Sequence, residues 1–235
     1  MSAPTSIGLI IPSSNRLTEP QFNTYAPSGV AIHITRLRMT GKWRKPPSEL
    51  KPALTEAAQV LSDVRPGIIV FHCTANSMEN GLEGEKDLVH TVEQASGCPT
   101  ITTAQAITEA FRHFGIKTLV LISPYVKETN AHEVKYLSEA GYAVLHELGL
   151  GLETQAYSSV TPEQWVKIVK ENARPDADGY FLSCTNTRMI ESIRELERDL
   201  GKPVVSSNQA TLWACLKRLG ITHQDEKLGR LFGLN

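Results

Sequence analysis

The strongest constraint in this sequence is that it contains one motif twice. Gly67-Ile68-Ile69-Val70-Phe71-His72-Cys73-Thr74 returns, one residue shorter, as Gly179-Tyr180-Phe181-Leu182-Ser183-Cys184-Thr185. Each copy is a short apolar run that reads as a buried strand and ends on a cysteine followed by threonine. The flanks repeat in the same order. Residues 7–11 with the Pro12 loop correspond to residues 118–122 with the Pro124 loop. Cys98-Pro99-Thr100-Ile101-Thr102 through Gln105-Ala106 corresponds to Lys202-Pro203-Val204-Val205-Ser206 through Gln209-Ala210. Both copies then run down a helix to Gly-Ile, at Gly115-Ile116 and Gly220-Ile221.

A duplication of this kind predicts two similar flavodoxin-like halves. Strands are expected over residues 7–11, 30–34, 67–71 and 99–102, then over 118–122, 142–145, 179–183 and 203–206. Helices are expected over 17–25, 83–95, 104–114, 126–140, 162–172, 190–200 and 209–219, with another starting at Ser48, which is placed to cap it. Strand and helix alternate throughout, so the fold class is α/β with parallel sheets covered on both faces and related by a pseudo-twofold axis. The boundaries fall at residues 1–116, 117–221 and a tail over 222–235. The tail carries Gly229-Arg230-Leu231-Phe232, a candidate segment for packing on the first half. Residues 40–47 contain two prolines and no periodicity, hence a loop. Its cations and Trp43 suit either a lid over an anionic substrate or an ordinary solvated connection. Gly149-Leu150-Gly151 also reads as a loop.

The totals remove several function classes. A chain of 235 residues at 41% hydrophobic content buries a sizeable core. Lys plus Arg (24) balances Asp plus Glu (25), so nucleic acid and anionic membrane are not expected partners. No apolar run reaches the roughly 18 residues of a membrane span. Met1 to Ser6 lacks the charged start and apolar core of a signal peptide, which points to the cytoplasm. No Gly-rich phosphate loop follows a strand, and Gly149-Leu150-Gly151 lacks a dinucleotide fingerprint's third glycine, so no nucleotide cofactor is expected. Cys73, Cys98, Cys184 and Cys215 have no zinc-like spacing, and a cytosolic disulfide framework is not expected.

The thiols are therefore core fillers or reagents. One cysteine beside an apolar strand is more often core. Two at equivalent strand ends of a repeat argue otherwise, because strand carboxyl ends are where open α/β sheets bind ligands. Cys73 and Cys184 should face each other across one pocket, and Cys98 and Cys215 read as structural. A helix N-terminus after each motif and convergent N–H groups would lower the thiol pKa and hold a carboxylate or enediolate. Thr74, Asn76, Thr185 and Asn186 supply neutral hydrogen bonds suited to such an oxyanion. Asn15 and Tyr125, at the ends of the other equivalent strands, belong to the same rim. His72 points to the opposite strand face and reads as a buried polar residue rather than a base. Ser206, Ser207 and Asn208 suit a second polar rim or a strand end and helix cap equally. Arg36 and Arg38 read as a solvated face.

The duplicated unit with one cysteine per half resembles the aspartate/glutamate racemase superfamily, over nearly the whole chain. Within it, Pro12-Ser13-Ser14-Asn15 with Glu19, and Arg36-Leu37-Arg38-Met39, resemble the maleate cis-trans isomerases. Asp176-Ala177-Asp178-Gly179, Leu182-Ser183-Cys184, Pro203-Val204-Val205-Ser206-Ser207 and the terminal Gly229-Arg230-Leu231-Phe232 resemble the arylmalonate decarboxylases. Those decarboxylases typically carry glycine at the position of Cys73. The resemblance implies a cofactor-independent isomerase of a small mono- or dicarboxylate, maleate first. Cys73 would be the nucleophile and Cys184 its acid/base partner. Asn15, Tyr125, Thr74, Thr185 and the N–H groups of Ala75 and Asn186 would bind carboxylate. It also implies a homo-oligomer, a dimer or tetramer. Thr185-Asn186-Thr187-Arg188 resembles racemase-like members instead, so a two-thiol racemase, a decarboxylase and a non-catalytic binding protein stand as alternatives.

Overall fold

The computed structural model describes residues 5–233. The first half runs β1 (Thr5–Pro12), α1 (Thr18–Tyr25), β2 (Val30–Leu37), α2 (Pro47–Ser62), β3 (Ile68–Phe71), α3 (Thr74–Met78), α4 (Gly81–Ser96), β4 (Thr100–Thr102) and α5 (Thr103–Phe114). The second runs β5 (Thr118–Ser123), α6 (Lys127–Glu139), β6 (Ala143–Gly149), α7 (Pro162–Glu171), β7 (Gly179–Leu182), α8 (Ile193–Leu200), β8 (Val204–Ser206) and α9 (Ser207–Arg218). One sheet has the order β2-β1-β3-β4 and the other β6-β5-β7-β8, and every pairing is parallel. The second order is the first advanced by four strands, as the repeat requires.

β3 and β7 are buried along their whole length, which is why their sequences are unbroken apolar runs rather than alternating ones. Their carboxyl ends deliver Cys73 and Cys184 to the same side of the molecule. The halves are joined by helix packing. α5 lies against α9, and Phe111 of α5 meets Phe181 of β7 edge-on at 5.6 Å between ring centroids. Burying one such ring contributes roughly 1.5–3 kcal/mol. α5 and α9 both open on a capping box, Thr102 with Gln105 and Ser206 with Gln209, so the repeat extends to the hydrogen bonds that start its helices.

Several boundaries differ from expectation. α2 starts at Pro47, so Ser48 lies inside the helix and makes no cap; a proline at the first position needs no N–H partner. Residues 40–47 contain a short 3-10 turn, Gly41–Trp43. β6 continues to Gly149 rather than stopping before a loop. There a Cβ would collide with the Tyr125 carbonyl, so glycine is needed for the strand end to approach. The tail makes its hydrogen bonds chiefly to the second half: Gln209 Nε2 donates to the Leu228 carbonyl at 2.6 Å, and Arg230 N to Glu197 Oε2 at 2.7 Å. A hydrogen bond also reaches the first half, between His223 Nε2 and the Tyr25 carbonyl at 3.0 Å. No helix among the described residues is long and apolar enough to cross a membrane.

Candidate active site

A cavity of about 220 Å³ opens where the carboxyl ends of the two sheets meet. Asn15, Cys73, Ala75, Asn76, Tyr125, Cys184, Thr185 and Asn186 all line it. Thr74 does not. Its side chain is buried, and its hydroxyl donates to Ser207 Oγ at 2.8 Å. The same Ser207 oxygen accepts the Cys184 N–H at 3.1 Å, so one hydroxyl ties the two motifs together behind the cavity.

The two thiols are held differently. Cys73 is the N-cap of α3, which begins with the next residue. Its sulfur lies 3.1 Å from Asn76 Oδ1, and the Asn76 backbone N–H favours its thiolate. Asn76 Nδ2 in turn donates to Glu79 Oε2 at 3.0 Å, and Glu79 pairs with Arg44 at the cavity mouth. Cys184 is followed by a turn, and the next helical residues are a 3-10 turn at Met189–Ser192, so the expected helix N-terminus exists only in the first copy. Cys184 instead has φ +134°, a conformation costing a non-glycine residue on the order of 1–3 kcal/mol. That turn brings the Asn186 N–H to 3.3 Å from its sulfur. The Tyr125 phenol is a second hydrogen-bond donor to the Cys184 thiolate.

Neither thiol is acidic. Burial pushes both up to about 12, against the lowering effect of these N–H and phenol donors; the Cys73 sulfur and the nearby Glu133 add to the rise for Cys184, and Glu133 adds to that for Cys73. Helix dipoles and N–H groups were expected to lower the thiol pKa, but the loss of water outweighs them.

Several of the expected site residues have supporting roles. Asn15 is 2% exposed and spends its amide on the protein: Nδ2 donates to Thr18 Oγ1 (2.9 Å) and Thr185 Oγ1 (3.0 Å), and Oδ1 accepts the N–H groups of Leu17 and Thr18. Asn186 Oδ1 accepts the Arg16 N–H at 2.8 Å. His72 lies between Thr103 Oγ1 (3.0 Å) and Asn208 Oδ1 (2.9 Å), and burial lowers its pKa to about 4, so it is a neutral buried side chain. Ser206 caps α9, while Ser207 and Asn208 brace the motifs from behind; they are not a second rim. Arg36 pairs with the exposed Glu19 and also donates to the Asn15 carbonyl at 2.6 Å.

Sequence reasoning missed part of the wall. Tyr157, from the 3-10 segment Thr154–Ser159, stacks edge-on against Tyr125 at 5.5 Å. Thr129 and His132 of α6 also line the cavity, as do Met39, Thr40, Gly41 and Arg44. Thr40, Gly41 and Arg44 come from the segment read as either lid or connection, and it borders the mouth. No group of His, Cys, Asp and Glu side chains suited to a metal ion occurs among the described residues.

The sequence model described as "Arylmalonate decarboxylase" matches residues 7–232. A maleate isomerase of Geobacillus stearothermophilus is 26% identical over 230 residues, 92% of each chain. Two solved structures share the fold. One is a cysteine-to-alanine variant of maleate isomerase from Pseudomonas putida with maleate (TM-score 0.87, 24% identity, 97% of each chain). The other is a cysteine-to-serine variant of Nocardia farcinica maleate cis-trans isomerase with a covalently bound succinylcysteine intermediate (TM-score 0.87, 22% identity, 97% of this chain and 98% of that one).

Proposed function

The chain belongs to the arylmalonate decarboxylase family, and on that footing we propose that it is a cofactor-independent isomerase converting maleate to fumarate through an adduct at Cys73. The observation that carries this reading is the pair of dissimilar sulfurs on one small cavity. The decarboxylases that this chain resembles typically have glycine at the position of Cys73, so retention of both thiols favours the isomerase.

Cys73, at the start of α3, is the nucleophile. Its thiolate adds to one alkene carbon, and the alkene electron pair moves to the neighbouring carbon and into its carboxylate as an enediolate. Cys184 delivers a proton to that carbon, leaving a succinyl group on Cys73. Rotation about the new single bond, return of the proton to Cys184 and loss of the Cys73 thiolate give the trans product. The N–H groups of Ala75 and Asn186, with the Tyr125 phenol, face the carboxylate whose charge grows in the addition step. Asn15 and Thr74 act through Thr185 and Ser207, holding those donors in place.

The high proton affinity of both thiols supports a division of labour. Cys184 is a competent proton donor because it stays protonated, and Cys73 becomes nucleophilic only once its proton has passed to water at the cavity mouth before substrate closes over it. The substrate is a small carboxylate. The enzyme acts in the cytoplasm as a homo-oligomer, a dimer or tetramer. Incubation with maleate, followed by proton NMR, tests the reading: fumarate should accumulate under reducing conditions, and its absence rules out maleate. Thr185-Asn186-Thr187-Arg188 favours a second reading, a two-thiol racemase, which would exchange an α-proton for deuterium in D₂O.

A further inference from the structure

Glu133 lies on α6, fully buried, and the reaction described above makes no use of it. Its Oε1 accepts a hydrogen bond from Ser183 Oγ at 2.9 Å, while Oε2 has no hydrogen-bond partner. Ser183 is the residue before Cys184, so the carboxyl sits directly behind the second thiol. In the first copy the residue before the thiol is neutral His72, bonded to Thr103 and Asn208 rather than to an acid. A carboxylate in such a position, half solvated by one hydroxyl, is costly.

The groups that bear on it come from every side. Glu147 on β6 opposes its ionisation, and its own charge raises the pKa of Cys73, Cys184 and Tyr125. On its own helix, Tyr136 is engaged by Glu85 of α4 at 2.7 Å, and none of these groups is a cation. We propose that Glu133 is a positioning residue, a neutral carboxylic acid placed behind Cys184 whose ionisation at alkaline pH opposes thiolate formation at Cys73 and Cys184. Four acids share one dry compartment, and the first negative charge makes every later one harder to form. Burial raises Glu133 to about 8, below both thiols, so the carboxyl ionises first. Below that pH the compartment is uncharged and open to an anionic substrate. Above it, Glu133 repels both the substrate and the thiolate.

The proposal rests on the reading of Cys73 and Cys184 as the reactive pair, and its test uses no substrate. Native protein and Glu133→Gln are alkylated with iodoacetamide from pH 6 to 10, and the Cys73 and Cys184 peptides are quantified by mass spectrometry. The two proteins should react alike near pH 6.5. At pH 9 and above the variant should react about three- to tenfold faster, the effect of half to one unit in thiol pKa. Ser183→Ala, which removes the hydrogen bond favouring the carboxylate, should postpone the suppression to higher pH. Superimposable profiles for all three proteins overturn the proposal. If maleate is not turned over but the profiles separate as expected, only the substrate assignment fails.

Discussion

The side chain of Asn15 crosses from one half of the molecule to grip Thr185 in the other, donating at 3.0 Å to its hydroxyl and 3.2 Å to its carbonyl. Thr18 Oγ1 and Asn208 Nδ2 donate to the same carbonyl, at 3.1 Å each. The turn carrying Cys184 is thus fixed by residues from β1's loop, α1 and α9. Its unusual backbone conformation is maintained by tertiary contacts rather than by local preference, as a strained site requires.

Asn15→Ala should therefore loosen the Cys184 turn. It leaves buried acceptors short of donors, at a cost of roughly 1–3 kcal/mol, visible as a lower midpoint in denaturant. Activity should fall with it, more through kcat than KM if Asn15 acts by holding Thr185. An unchanged midpoint would show that the cross-half bonds contribute nothing.

Tyr125→Phe removes the phenol that favours the Cys184 thiolate and that the proposed reaction aims at the developing enediolate. A decrease in kcat of roughly 10²-fold is expected, the usual size for loss of one preorganised donor. KM should move far less. The ring packing against Tyr157 survives the substitution, so stability should change little. A variant that retains full kcat would remove Tyr125 from the reaction.

Glu133 makes stability depend on pH in a defined direction. Its folded pKa of about 8 lies above the ordinary 4.5, so the folded state holds the proton more tightly. The associated stability is complete below pH 4.5 and is lost as pH rises towards 8, with a slope approaching about 1.4 kcal/mol per unit. His72 runs the other way: its folded value of about 4 lies below 6.5, so its contribution is present above pH 6.5 and is lost on acidification towards 4. Of these two groups, only Glu133 contributes a slope between pH 6.5 and 8. Denaturant melts of Glu133→Gln in that window should be flatter than those of the native protein, and equal slopes would contradict this assignment.

The fold was legible because its evidence is periodic. Apolar runs such as Ile68–Phe71 and the repeated Gln105 and Gln209 capping positions each specify a local structure, and duplication confirmed them against one another. The cysteine pair was legible for the same reason. What could not be read was solvent exclusion. The thiols' high proton affinity depends on how much water three-dimensional packing removes, and no nearby residue type encodes that. Tyr157 was missed because it comes from an irregular segment, Glu133 because it lies behind the cavity on a helix read only as packing, and Arg44 was read only among the cations of a segment suited to lid or connection alike. Asn15 and Thr74 were recognised as near the site, but their hydrogen bonds to Thr185 and Ser207 link distant residues, so their bracing role became visible only in the fold.

The central claim is that Cys73 forms a bond to substrate carbon while Cys184 moves the proton. Intact-mass and peptide mass spectrometry of Cys184→Ser after incubation with maleate tests it most directly. Serine's hydroxyl is far too weak an acid/base group to return the adduct to alkene, so once water has protonated the enediolate a species heavier by one maleate should accumulate, with the added mass on the Cys73 peptide. An adduct on any other residue, or none in a variant whose native parent converts maleate to fumarate, would contradict the account.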